Sequence, residues 1–200
     1  MIERKKIIYV ICEGESEMAY LGEFNRFLRE EGIAYVFYTI KATNGMYNEV
    51  KKTYYQVRRK NKKERIEILV DRDIYIRDEE GVKYRNREED NLPFFLFSYY
   101  NFEDFLVMHL DEKKVKRWNE VALLFNHNII PLKAKEYVPL LNYYKIWPRG
   151  VRYKKGEVPF TLSWWHLKNL IKNDRDNRIV FHSDLTKVIE EVLFESRAKS

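Results

Sequence analysis

Cysteine occurs once in the 200 residues, as Cys12, inside an apolar run. A lone cysteine excludes a disulfide framework and fits a reducing cytoplasm. Glycine is held to 7 residues and proline to 5, which argues against low-complexity chain and for a compact fold. No apolar run approaches the roughly 18 residues of a membrane-spanning helix, so no membrane association is expected. MIERKK leads straight into a strand-like run, without the apolar stretch and small-residue cleavage site of a secretory leader. The phosphate-binding patterns GxGxxG and Walker A are absent, as is the GxSxG nucleophile elbow. The four histidines have no spacing, with Cys12 or with one another, that makes a zinc site.

What is present suits one domain, or one domain with an elaboration. The chain is 45% hydrophobic and 16% aromatic, enough for a full core. Its net charge of +6 favours an anionic partner. The strongest signal is a pair of acidic sites, each at the end of a short apolar run. IIYVIC, 7–12, stops at Glu13, and EILV, 67–70, stops at Asp71 and Asp73. Such β-branched runs read as buried parallel strands. In open parallel α/β sheets, ligands bind beyond the carboxyl ends of the strands. Carboxylates converging there repel one another unless a hard cation such as Mg2+, or Mn2+ in its place, sits between them.

Periodicity supplies the frame. A helix is expected from the Gly14–Ser16 turn to Glu31, with Met18, Leu21, Phe24, Phe27 and Leu28 on one face and Gly32 as its stop. A strand over 34–40, a turn at 43–45, a helix over 47–63 and a strand over 65–70 follow. This alternation implies a parallel sheet with right-handed crossovers. Residues 74–91 read as a charged loop, 93–98 as a strand, and 101–110 as an apolar-faced helix capped by Asn101. Beyond that point, 115–125, 162–172 and 185–197 look helical, and 143–160 is aromatic and basic.

IIYVICEGESE followed by MAYLGEF resembles the first motif of Toprim domains, and more closely that of the RloB-like family. The DRD at 71–73 stands where Toprim domains carry their DxD pair. SYYNFEDFLVMHL resembles the family's later acidic element, with Glu103 as the acid and His109 as its histidine. The chain has Tyr100 and Asn101 where the family usually shows Pro and Cys. The likeness covers roughly residues 5 to 111. It implies a Toprim-like Rossmannoid α/β fold, a mostly parallel sheet flanked by helices, over 1–112. Residues 113–200 then form a mainly helical extension packed on that core. It also implies a Mg2+-dependent nuclease acting on DNA or RNA, an effector of phage defence or restriction, with an AAA-type ATPase as the partner that restrains it. Glu13, Asp71, Asp73 and Glu103 are its expected catalytic and metal-binding residues.

Each of these residues also has a plainer reading. Glu15 and Glu17 suit the positive end of a helix on electrostatic grounds alone, although Glu17, one turn beyond Glu13, can join the cluster. Asp71 and Asp73 can simply begin a loop, Glu103 can be an acid of a helix's first turn, and His109 suits a satisfied core histidine. Two basic stretches bear on the substrate. Residues 51–65 hold eight Lys or Arg and one Glu, and 145–155 hold five basic residues with Trp147 and Tyr153 interleaved. Cations for phosphates and rings for bases are what single-stranded nucleic acid needs. Arg58, Arg59, Trp147, Arg149, Arg152 and Lys154 are therefore the expected nucleic-acid contacts. A solvated helix face and an inward-packed loop are the alternatives. Two other functions stay open, a non-catalytic nucleic-acid-binding or ATPase-partner module and a phosphohydrolase or nucleotidyltransferase acting on small substrates.

Overall fold

The computed structural model describes residues 5–43, 46–72, 91–93 and 95–197. Asp73, Asn44 and Gly45 of the expected turn, and 74–90 of the expected charged loop lie outside the described residues. Among those described, five strands form one sheet in the order β2-β1-β3-β4-β5. They are β1 (Lys6–Cys12), β2 (Tyr35–Lys41), β3 (Arg65–Asp71), β4 (Phe95–Tyr99) and β5 (His182–Ser183). The first four run parallel, and β5 pairs antiparallel with β4.

The alternation along each strand sorts its side chains to two faces. Ile8, Val10 and Cys12 enter one hydrophobic cluster, while Ile11 joins Ile66, Ile68 and Val70 in the other. Helix α1 (Glu15–Glu30) covers the first face with Tyr20, Leu21, Phe24, Phe27 and Leu28, all buried. Their three- and four-residue spacing puts them on one stripe. Truncating Phe24, which is fully buried, to Ala would cost about 3–5 kcal/mol. Gly32, at φ +70°, ends α1. Its N–H donates to the Arg29 carbonyl, and that of Ile33 donates to Leu28. That Schellman pair needs the left-handed backbone a glycine adopts freely. Helix α2 (Tyr47–Lys60) covers the second face with Tyr47, Val50, Tyr54 and Val57.

Helix α3 (Phe102–Val107) is short and buried on every side. Two of its residues, Glu103 and Asp104, carry buried carboxylates. Burying a charge is tolerated only with donors around it, and Asp104 has four. Trp118 Nε1 donates at 2.7 Å, His127 Nε2 lies at 2.9 Å, and the N–H groups of Tyr100 and Asn101 donate at 3.2 and 3.0 Å. His127 Nδ1 accepts from the Leu132 N–H at 2.8 Å, so the ring proton sits on Nε2 and points at Asp104. His109 is likewise a core residue. Its Nδ1 meets the Phe105 carbonyl at 3.0 Å and its Nε2 the Tyr20 hydroxyl at 2.9 Å, and burial pushes its pKa down to about 3.

The remaining helices among the described residues are α4 (Glu112–Leu124), α5 (Ala134–Tyr143), α6 (Trp164–Asp174) and α7 (Leu185–Arg197). Their buried hydrophobic side chains belong to the same cluster as those of α1 and α3. Trp147 is among the residues of that cluster. It is 3% exposed and its ring lies 5.0 Å from that of Tyr153. The expectation that it stacks on a base is therefore corrected, because the ring fills core space between segments. None of the described helices is long and apolar enough to cross a membrane.

Candidate metal centre

The chain reverses its direction of travel across the sheet at β1. The first crossover carries it from β1 outward to β2, and the second carries it back past β1 to β3. The carboxyl ends of β1 and β3 therefore flank the point where open α/β sheets hold their ligands. Glu13 follows β1, and Asp71 ends β3. Glu13 N–H donates to the Leu69 carbonyl at 3.2 Å, and Asp71 N–H donates to Glu13 Oε2 at 3.0 Å. The two strands thus fix the Glu13 carboxylate between them.

Glu17 joins from the first turn of α1. Oxygens of Glu13, Glu17 and Asp71 all lie within 4.8 Å of one another. Ligands to one hard cation sit roughly 2.0–2.6 Å from it, so oxygens this close can share an ion. All three donors are carboxylates, the hard anionic set that Mg2+, Mn2+ and Ca2+ prefer. The triad can bind a metal ion. Gly14 makes room for the Glu17 carboxylate: a Cβ at position 14 would come 3.0 Å from Glu17 Oε2. Burial pushes the Glu17 carboxyl up to about 7, and the charge of Glu103 adds to this against backbone hydrogen bonds and Lys155. Burial thus disfavours the ionised form of Glu17, and a cation beside it would favour that form.

Glu103 takes a different place from the expected fourth ligand. It lines the same cleft but lies outside the group of three, and hydroxyls hold both its oxygens. Ser16 Oγ donates to Oε1 at 3.0 Å, Tyr153 OH donates to Oε1 at 2.7 Å, and Tyr137 OH donates to Oε2 at 2.7 Å. Burial, and then the charge of Glu103, push both phenols well above their ordinary value, so both remain donors. Ser16 Oγ in turn accepts the Gly156 N–H at 3.1 Å. A cage from α1, α5 and the 153–156 segment thus closes around α3, and residues beyond 112 build part of the site.

The cleft has a volume of about 370 Å³. Lys155 stands in its wall, and so does Lys41 at the end of β2, whose ammonium pairs with Glu15 at 2.9 Å. The sequence does not single out Lys41, Lys155, Ser16, Tyr137 or Tyr153 as site residues. Of these, Tyr153 and Lys155 carry a signal, as members of a basic stretch with rings interleaved.

The expected nucleic-acid residues separate. Arg58 is half-buried and caps the turn before β3, donating to the carbonyls of Lys62 at 3.2 Å and Glu64 at 2.9 Å. Arg58 and Arg59 therefore lie near the start of β3, whereas Asp71 ends it. At about 3.3 Å per residue the seven-residue strand sets them roughly 20 Å from the cleft, at the opposite end of the strand. The Arg58–Arg59 stretch is therefore the one farther from the carboxylates. Arg149, Arg152 and Lys154 are exposed on the segment that leads to Gly156 and the cleft. No family model matches the chain, and no curated protein and no solved structure proved significantly similar to it.

Proposed function

We propose that the chain is a Mg2+-dependent nuclease with a Toprim-like fold of RloB-like type, cleaving phosphodiester bonds in DNA or RNA. A phage-defence effector restrained by an AAA-type ATPase is the setting that the motif resemblance implies. One observation carries the reading. Three carboxylates from two adjacent parallel strands and the following helix converge within 4.8 Å at the sheet's switch point. Glu13, Glu17 and Asp71 would hold the ion. When bound it neutralises charge developing on a phosphate and lowers the pKa of a coordinated water. The chain's own groups complete the site. Glu13 is held in place by the Asp71 N–H. The start of α1, at Gly14–Ser16, offers the positive end of a 16-residue helix to a phosphate. Lys41 and Lys155 place cations in the cleft wall.

The test is cleavage of labelled single-stranded DNA and RNA by the pure protein, with Mg2+ and with EDTA. Mg2+-dependent cleavage that Glu13→Gln abolishes is the expected result. Cleavage that persists in EDTA overturns the reading. Binding without cleavage favours the non-catalytic module. Turnover of small phosphate esters alone favours a phosphohydrolase, for which a cleft of about 370 Å³ is large enough.

A further inference from the structure

A second concavity adjoins the carboxylate cleft. It is a groove of about 700 Å³ between α5 and the extended segment 152–155, within the range of ligand-sized clefts. Its floor is apolar, formed by Ala134, Val138 and Pro139 of α5. Among the described residues, four cations line it, Lys135, Arg152, Lys154 and Lys155, and no carboxylate does. The walls are fixed to each other. Asn142 Nδ2 donates to the Tyr153 carbonyl at 3.1 Å, and the Tyr153 N–H donates to Asn142 Oδ1 at 2.8 Å. Groove and cleft also share a wall. Lys155 lines both, and Tyr153 lines the groove while its hydroxyl bonds Glu103 in the cleft.

We infer that this groove binds single-stranded nucleic acid and leads it to the carboxylate cleft, an inference that rests on reading that cleft as a phosphodiester site. The triad by itself repels a polyanion, so a substrate strand needs cations beside it. Lys135, Arg152, Lys154 and Lys155 supply them from both walls of the groove, and Lys155 carries them on into the cleft. The apolar floor offers Val138 and Pro139 to the face of an unpaired base, and a base in a duplex has no such face free. An acidic peptide would match the charges but has no need of the junction with the metal-binding triad.

The experiment measures binding of a fluorescein-labelled oligouridylate and its oligothymidylate counterpart in EDTA, so that no cleavage occurs, at low and at physiological salt. The triple variant Lys135→Ser, Arg152→Ser, Lys154→Ser changes three exposed side chains. Losing three phosphate contacts should weaken binding by at least about tenfold and lower the salt slope by about 2, at about 0.7 per contact on a single strand. Pro139→Glu, a change that also favours the helix, puts a carboxylate in the floor and should weaken binding in the same direction. Unchanged affinity and slope in both variants overturn the groove, as does a native protein that binds neither oligonucleotide at low salt. The thermal shift produced by Mg2+ reports the triad separately. Groove-dependent binding with no Mg2+ shift would overturn the metal reading and leave the groove standing. A Mg2+ shift with groove-independent binding would do the reverse.

Discussion

The backbone N–H of Asp71 donates to Glu13 Oε2 at 3.0 Å, joining the ends of two adjacent parallel strands through one carboxylate. That bond fixes where the Glu13 carboxylate points. Rigid placement of a ligand on strand ends, rather than on a free loop, is what a metal-dependent site requires.

Glu13→Gln keeps the side chain's shape and retains an oxygen to accept from Asp71. It should lower Mg2+-dependent cleavage by about two or more orders of magnitude, while the melting temperature changes little. Cleavage kinetics beside a thermal melt check both halves. A normal rate in Mg2+ would remove Glu13 from the mechanism.

Glu17 gives a pH signature. Its folded-state pKa is pushed up to about 7 from 4.5, so the folded protein binds this proton more tightly than the unfolded chain does. Stability in metal-free solution should therefore fall as pH climbs from about 4.5 and level off above about 7. Glu17→Gln should flatten that fall. Well above pH 7 it should raise stability by about 1–3 kcal/mol, since a tenfold change in proton affinity corresponds to about 1.4 kcal/mol. Urea unfolding in EDTA across this range reads the effect. A pH dependence equal to that of the unsubstituted protein would contradict the burial argument. With divalent ion present, the same substitution should become destabilising, because it removes a ligand.

The Glu103 cage predicts that its hydroxyls matter to the fold. Tyr137→Phe and Tyr153→Phe each remove one donor at 2.7 Å from a buried carboxylate without opening a large cavity. Each should cost about 1–3 kcal/mol. In a Glu103→Gln background both costs should shrink, because the charge that the hydroxyls satisfy is gone. Denaturant titration of the single and double variants tests this. Equal costs in both backgrounds would show that the hydroxyls act elsewhere.

Trp147 offers a contrast. As a core ring it should cost about 3–5 kcal/mol when cut to Ala. Oligonucleotide affinity, measured at low temperature on protein still folded, should not change. An affinity loss with an unchanged melting temperature would return the ring to the nucleic-acid surface.

Sequence patterns were most legible where structure is local. The β1–α1–β2–α2–β3 alternation, the Gly32 stop and the buried Cys12 follow from period, cap chemistry and composition within a few residues. Glu13 and Asp71 could be placed because strand ends and ligand crevices go together in parallel sheets. The Glu103 cage was not legible. Its donors lie 34, 50 and 87 positions away, and nothing in a tyrosine's neighbours along the chain says that its hydroxyl meets a buried acid. Helix α5 was hidden by Pro139 at its centre, since an interior proline removes a hydrogen bond and argues against a helix. Strand β5 spans two residues, too few to show alternation. Trp147 misled because a ring among cations looks the same in sequence whether it faces solvent or core.

The most direct test of the metal-binding triad is an anomalous difference map from a crystal soaked in Mn2+. A dominant peak between the ends of β1 and β3, with oxygens of Glu13, Glu17 and Asp71 each at about 2.0–2.6 Å, is the predicted result. A soaked crystal with no peak there, or with its principal peak on other residues, would contradict it.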